Sequence, residues 1–371
     1  MKVGALLMPS HSPETAIAAG RNWDLEEIER LERLGFAEAW IGEHFTAAWE
    51  PCPAPDLLIA QALQPTSKIQ LGPLGHLLPY HHPVELAHRV AYLDHLAEGR
   101  YRLGVGISAL PTDHDLFGLP ATGDVNRRMT FEALDIMTGL WTAGPSDLQG
   151  EFWSCRAPRT GLPGLAYHLR PYQDPHPPIA IAAMTPGSVN HQLAGEKGYI
   201  PVSFSISPDA SVTARHWQTV EAGAERSGRI PDRGDWRIIR DVYLAPTDAE
   251  ARALAIDGIV GRCWREFLLP LYLSLGLAPL LKRDPAMPDE AIDLQYLADN
   301  VWLTGSPDTV IARIHDLQEQ TGGFGYLIVT SYDATAERPA WERSLQLLAR
   351  DVLPACATPK RRHNASAGAR Q

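Results

Sequence analysis

Ile69-Gln-Leu-Gly-Pro-Leu-Gly-His-Leu-Leu78, Pro83-Val-Glu-Leu-Ala-His-Arg-Val-Ala-Tyr-Leu93 and Tyr101-Arg-Leu-Gly-Val-Gly-Ile107 follow one another in that order. The first and last are short, nearly continuous apolar runs, the pattern of strands covered on both faces of a parallel sheet. The middle segment opens on a proline, whose missing N–H costs nothing at the first helical position. It repeats apolar residues at Val84, Ala87, Val90 and Leu93, and Gly99 stands where such a helix stops. A strand, a crossing helix and a second strand make one βα unit of a parallel architecture.

The same alternation extends in both directions. Val3 to Met8, Ala37 to Ile41, Ile179 to Ala183, Ile200 to Phe204, Ile238 to Leu244 and Tyr326 to Val329 read as further strands, which with the first two gives eight. Helix starts are marked between them. Asp24 with Glu27 and Thr247 with Glu250 have capping-box spacing, Gly35 ends the first helix, and Ser207-Pro208 and Ser306-Pro307 read as a cap followed by a first-turn proline. Eight such units nearly fill the chain, which favours an α/β fold of the (β/α)8 TIM barrel type over an open doubly wound sheet. Gly104-x-Gly106 follows a strand but lacks the third glycine of a dinucleotide fingerprint.

The reading gives a single domain over residues 1–358. Insertions fall near 143–178, rich in Pro, Gly and aromatic residues and read as a hairpin excursion, and near 279–300, read as a surface insertion or lid. Residues 359–371 read as a disordered basic tail. Of 371 residues 45% are hydrophobic and 21% charged, enough apolar material for a large core. Thirty-three basic against 44 acidic side chains leave a net charge of −11, scattered along the chain, which argues against a nucleic-acid partner and for a small molecule. The four cysteines lie far apart and read as reduced thiols, not a zinc cage or disulfide framework. The N-terminal run is too short for a secretory signal and no later stretch is long enough to span a membrane, so the expected location is the cytoplasm, with no membrane partner.

Working groups of a barrel lie at the C-terminal ends of its strands. There the sequence places Glu43-His44 after the second strand, His76 with His81-His82 after the third, Ser108 and Leu110 after the fourth, and Ala183-Met184-Thr185-Pro186-Gly187-Ser188 after the fifth. His44 is the candidate catalytic residue, because an imidazole of ordinary pKa ~6.5 can give or take a proton near neutrality. Glu43 alternates to the opposite face and reads as a supporting group. The His76, His81 and His82 set is read as turn and helix-start chemistry without a partner carboxylate, so no metal site is expected. Thr185, Gly187 and Ser188 can offer N–H groups and a helix N-terminus to an anion, although an ordinary cap would look the same.

Trp40-Ile-Gly-Glu-His-Phe45, Leu71-Gly-Pro-Leu-Gly75 through Leu78-Pro-Tyr-His-His-Pro83, the run from Ala91 to Arg100 into Leu103-Gly-Val-Gly106, and Leu303-Thr-Gly-Ser-Pro-Asp308 together resemble the bacterial luciferase-like flavin-dependent monooxygenases, particularly limonene monooxygenase-like members. The resemblance covers about Met1 to Pro354. It implies a two-component enzyme that takes reduced FMN from a separate NAD(P)H-dependent flavin reductase and uses O2 to insert one oxygen atom into an apolar terpene, olefin or carbonyl compound. It further implies that His44 manages protons at the flavin. Leu74 and Gly75 would form a cis peptide against the flavin ring, with Ser108, Leu110, Ala183, Met184, Thr185, Gly187 and Ser188 along the cofactor.

Pairing into a homodimer through Leu57, Leu58, Ala60, Leu63, Val84, Ala87 and Val90 also belongs to the resemblance. Two departures stand out: Ile107 where some members carry a phosphate-gripping arginine, and Phe45 in place of luciferase's second histidine. Trp49, Phe117, Trp153 and Phe204 are candidate pocket walls. The competing expectations are a deazaflavin-dependent oxidoreductase on the same barrel and a noncatalytic flavin-binding accessory barrel.

Overall fold

Eight parallel strands close into a ring in the computed structural model, which describes residues 1–107, 110–120, 124–159 and 161–356. They are β1 Lys2–Ser10, β2 Glu38–Ile41, β3 Gln70–Pro73 continued as His76–Leu77, β4 Leu103–Gly106, β5 Ile179–Ala183, β6 Ile200–Phe204, β7 Arg237–Arg240 and β8 Tyr326–Tyr332. β1 pairs with β2 on one side and β8 on the other, with Gly4 opposite Glu38 and Ile328, and the ring is completed where His76 of β3 pairs with Val105 of β4. The closed α/β barrel is the architecture expected from the sequence.

Two of the expected strands are interrupted. Ile69 to Leu78 breaks at the Leu74-Gly75 peptide, which is cis. There β3 and β4 approach so closely that a Cβ on Gly72, Gly75 or Gly104 would lie 2.1–2.5 Å from the facing backbone, a contact that only glycine permits. Ile238 to Leu244 divides after Arg240: Val242–Leu244 leaves the barrel and pairs in parallel with Leu303–Gly305.

Helix chemistry follows the sequence at three starts and departs at two. Pro83 opens the helix Pro83–Leu96, Thr247 accepts from Glu250 N–H, and Ser306 caps Pro307–Thr321 by accepting from Thr309 N–H. Asp24 and Glu27 are not a cap. The first helix already begins at Ile17 and runs to Arg33, so both acids sit buried within it, Asp24 against His11 and Glu27 against Arg30, Ser331 and Trp341. The helix Ala210–Arg226 is capped by Asp209, two residues after the expected Ser207.

Residues 143–178 contain the expected small hairpin, Leu148–Gln149 against Ser154–Cys155. Within 279–300, Leu281, Ile292, Leu297 and Ala298 are buried in the main core. The tail from residue 359 lies outside the described residues. All four cysteines are free, Cys263 and Cys356 buried and Cys52 and Cys155 half-buried. No described helix is long and apolar enough to cross a membrane. Of the residues expected at a dimer face, Leu58, Leu63, Ala87 and Val90 are buried in the core, because they point at the strands beneath; Leu57 is exposed.

Inward-facing residues fill the ring in layers. At its base Glu38 and Arg237, both nearly inaccessible, form a two-pronged ion pair of 3.2 and 3.0 Å beneath the Tyr326 ring. Leu6, Trp40, Leu74, Val202, Ile239 and Ile328 form the apolar plug above it. Above this sealed floor a cavity opens at the C-terminal ends of the strands.

Candidate active site

A cavity of about 390 Å³ opens at that end of the barrel, within the size range of small-molecule sites. Met8, Leu77, Val105, Ala182, Phe204 and Ile239 give it an apolar floor. Its outer wall comes from a helical segment that carries no clear sequence signal. Ile259–Cys263 passes into a wide π-turn at Trp264–Leu268 and on into Leu269–Ser274. This segment turns Trp264, Leu268, Leu271, Tyr272 and Leu275 onto the cavity.

His44 is held at the cavity wall by the backbone around it. Gly42 N–H bonds Leu7 C=O, and His44 N–H bonds Cys52 C=O at 3.0 Å. Its imidazole lies between two buried carboxylates: Nε2 is 3.2 Å from Glu50 Oε2, and Nδ1 is 3.7 Å from Asp113 Oδ2, an ion-pair distance too long for a hydrogen bond. Asp113 is itself fixed by Thr46 Oγ1–H and Phe45 N–H. Burial alone pulls the imidazole pKa down, but Asp113 and Glu50 outweigh it and raise His44 above its ordinary value. Burial pushes the Glu50 carboxyl up to about 7, with His44 opposing the rise. The pair can therefore hold or release a proton near neutral pH beside an apolar cavity. Glu50 and Asp113 were not singled out from sequence. The only local signal for Glu50 is an acid inside the apolar stretch Ala47-Ala-Trp-Glu50.

Glu43, also on the cavity wall, is engaged by a different set of partners from His44. It accepts from Leu77 N–H at 2.6 Å and pairs with His81 Nε2 at 2.8 Å, with His76 Nδ1 3.5 Å away. Burial would raise this carboxyl, yet the two imidazoles hold it down at about 2. Glu43, His76 and His81 bring their ligating atoms within 4.8 Å of one another. This carboxylate partner of the histidines is not visible locally in the sequence, because it comes from the segment after β2. The 2.8 Å contact is a charge-assisted hydrogen bond, and the cluster braces the chain from His76 to His81.

Leu74, Gly75, Leu110, Ala183 and Met184 line the same cavity as His44. Thr185, Gly187 and Ser188 follow β5 beyond its edge. Ser188 caps the helix Val189–Lys197 by accepting from Asn190 N–H, and Gly187 has φ +72° with open space where a Cβ would point. Ser108 lies outside the described residues. Asn190, which no sequence signal marks, lines the cavity: its Nδ2 donates to Ala182 C=O at 2.8 Å, while its buried Oδ1 has no partner among the described residues. Of the candidate aromatic walls only Phe204 lines the cavity. Trp49 is core, Phe117 stacks on Tyr80, and Trp153 packs beside Phe152, because their elements turn away from the mouth.

The family model for luciferase-like monooxygenases matches residues 1–323. The chain belongs to the luciferase-like monooxygenase family. It is 32% identical to 3,6-diketocamphane 1,6-monooxygenase of Pseudomonas putida over 378 aligned positions, covering 97% of this chain and 100% of that one. Limonene 1,2-monooxygenase of Rhodococcus erythropolis is 32% identical, over 95% of this chain and 85% of the relative. The solved structure of the oxygenating constituent of 3,6-diketocamphane monooxygenase, a type II Baeyer-Villiger monooxygenase in complex with FMN, superposes with a TM-score of 0.88 at 32% identity, covering 95% and 98% of the two chains. The chain is thus a flavin-dependent monooxygenase, as its sequence motifs implied.

Proposed function

We propose that this monooxygenase takes reduced FMN from a separate NAD(P)H-dependent flavin reductase and uses O2 to insert one oxygen atom into an apolar terpene, olefin or carbonyl compound. The observation that carries the reading is the His44–Glu50 pair, a proton store of near-neutral pKa on the wall of an apolar cavity. The cavity suits the flavin on two counts. Its apolar lining suits a ring system, and the orphaned Asn190 Oδ1 is an acceptor waiting for a donor such as a ribityl hydroxyl.

Leu74, Gly75, Leu110, Ala183 and Met184 would hold the ring, while Thr185, Gly187 and Ser188 would receive the phosphate at the N-terminus of the helix that follows, where N–H groups and the helix dipole favour an anion. With Ile107 in place of an arginine, that loop carries the phosphate contact. When bound, the reduced flavin supplies the electrons that activate O2. His44 is the catalytic residue of this reading: with Glu50 it holds and returns a proton at the cavity wall. Leu268, Leu271 and Leu275 keep water out.

We further propose a homodimer, supported by exposed Leu57 on one helix and Tyr92 and Leu96 on the next, and a cytoplasmic location. Fluorescence titration with FMN and with a deazaflavin, followed by oxygen uptake in the presence of reductase and NADH, tests the reading. FMN binding with substrate-dependent oxygen uptake is the expected result. Tight deazaflavin binding without oxygen uptake would overturn it in favour of a deazaflavin oxidoreductase, and FMN binding without any turnover would favour an accessory barrel.

A further inference from the structure

The polar groups on the cavity wall divide into those the protein already engages and those it leaves free. Glu43 is taken up by Leu77 and His81, and His44 by Glu50 and Asp113. Asp241 accepts the Tyr332 hydroxyl, Ser205 Oγ bonds Thr213 Oγ1, and Arg240 donates through its two Nη atoms to the Val301 and Ser207 carbonyls at 2.9 Å each; Arg240 Nε and Asn190 Oδ1 are buried without a partner among the described residues. Among the described residues the Tyr272 hydroxyl makes no hydrogen bond, and Ser10 Oγ is the other free hydroxyl on the wall.

Tyr272 stands in the outer wall, flanked there by Leu268, Leu271 and Leu275, with its ring edge-on to Trp264 at 5.5 Å. Burial, reinforced by the nearby Asp241 and Glu50 charges, drives the phenol pKa far up, so it acts only as a neutral hydrogen-bond donor or acceptor. A donor facing an apolar cavity loses its water when a ligand fills the space, and is then left unpaired unless the ligand brings an acceptor. A saturated ketone brings one, and an olefin of the same skeleton does not. A site with such a donor discriminates against the analogue that lacks the acceptor.

We propose that Tyr272 donates a hydrogen bond to the carbonyl oxygen of a saturated cyclic ketone, and that this contact selects the substrate class of the cavity. The inference rests on the monooxygenase reading above. In the overall reaction the ketone, O2 and the two electrons and two protons of reduced flavin yield an ester or lactone and water. The C–C bond beside the carbonyl breaks, two C–O bonds form to the inserted oxygen, and the second oxygen atom leaves in water. As the carbonyl carbon is attacked, negative charge grows on its oxygen, and the Tyr272 hydroxyl stabilises that charge where it develops.

The test compares norcamphor, a bicyclic ketone, with norbornene, which carries a double bond on the same skeleton. Calorimetry measures each ligand on FMN-loaded wild type, Tyr272→Phe and Ser10→Ala, and FMN affinity is measured separately by fluorescence. Wild type is expected to favour the ketone. Tyr272→Phe should weaken the ketone about threefold to tenfold, with norbornene and FMN affinities unchanged. Equal loss for both ligands, no loss for either, loss of the ketone preference in Ser10→Ala instead, or no ketone binding to the FMN-loaded wild type would each overturn the role of Tyr272. Failure of the wild type to bind FMN would instead overturn the monooxygenase reading on which it rests.

Discussion

Replacing Glu50 with Gln keeps the side chain's size and removes its charge, which isolates its effect on His44. At the 3.2 Å between Nε2 and Oε2, unit charges in a medium of effective dielectric ~20 attract by about 5 kcal/mol. That is a ceiling, because both groups lose hydration in the buried site. An opposite charge at such range usually favours the ionised partner by about 1.4–4 kcal/mol, so the ratio of charged to neutral His44 at fixed pH should fall about tenfold to a thousandfold. Since Asp113 and Glu50 raise the His44 pKa, the imidazole keeps its proton above the ordinary range and loses it as pH rises through the raised value. Glu50→Gln must move that loss to lower pH. The readouts are the alkaline limb of kcat/KM in a reductase-coupled assay and the titration of the imidazole nitrogens by NMR. An alkaline limb and imidazole titration that stay in place, or move to higher pH, would refute the coupling.

Further outcomes follow from other parts of the molecule. Arg237→Leu should destabilise the barrel by about 3–5 kcal/mol in chemical denaturation, because Glu38 is left charged and unpaired in the floor, whereas Glu38→Leu with Arg237→Leu should cost much less; a double variant as unstable as the summed single effects would contradict this. Burial holds His191 at about 4 and His216 at about 3. Below their ordinary value near 6.5 the unfolded chain therefore takes up protons that the folded protein refuses, and stability must fall as pH drops from 6.5 towards 3. His216→Gln should flatten that loss in thermal melts, and an unchanged acid slope would remove the pair as its cause. Gly187→Ala places a Cβ at φ +72° and should weaken FMN binding through the strain of the loop, by about 1 kcal/mol, with no change in the pH profile of the His44–Glu50 pair.

The eight strands were legible because each is a compact apolar run bounded by cap or turn chemistry, and the starts at Pro83, Thr247 and Ser306 are local signals that tertiary structure left intact. Asp24 and Glu27 misled because capping-box spacing also suits two acids facing the interior, and their partners His11, Ser331 and Trp341 are distant in sequence. The break in β3 accompanies its close approach to β4, and the one after Arg240 the pairing of Val242–Leu244 with distant Leu303–Gly305, neither of which a single run encodes. His44, Leu74 and Gly75 could be picked out as strand-end residues. Glu50, Asp113 and Asn190 could not, since Glu50 and Asn190 reach the cavity, and Asp113 the side of His44, each from a separate loop or helix. The outer wall was missed for a different reason: Ile259 to Leu277 is apolar on several sides, and only the π-turn decides which residues face inward.

The most direct measurement is isotopic. With reductase, NADH and FMN, turnover of norcamphor under 18O2 should give an oxygenated product bearing one labelled oxygen atom, and His44→Ala should lower its yield at least a hundredfold while FMN still binds. Product free of label, or with its new oxygen drawn from water, would contradict the account.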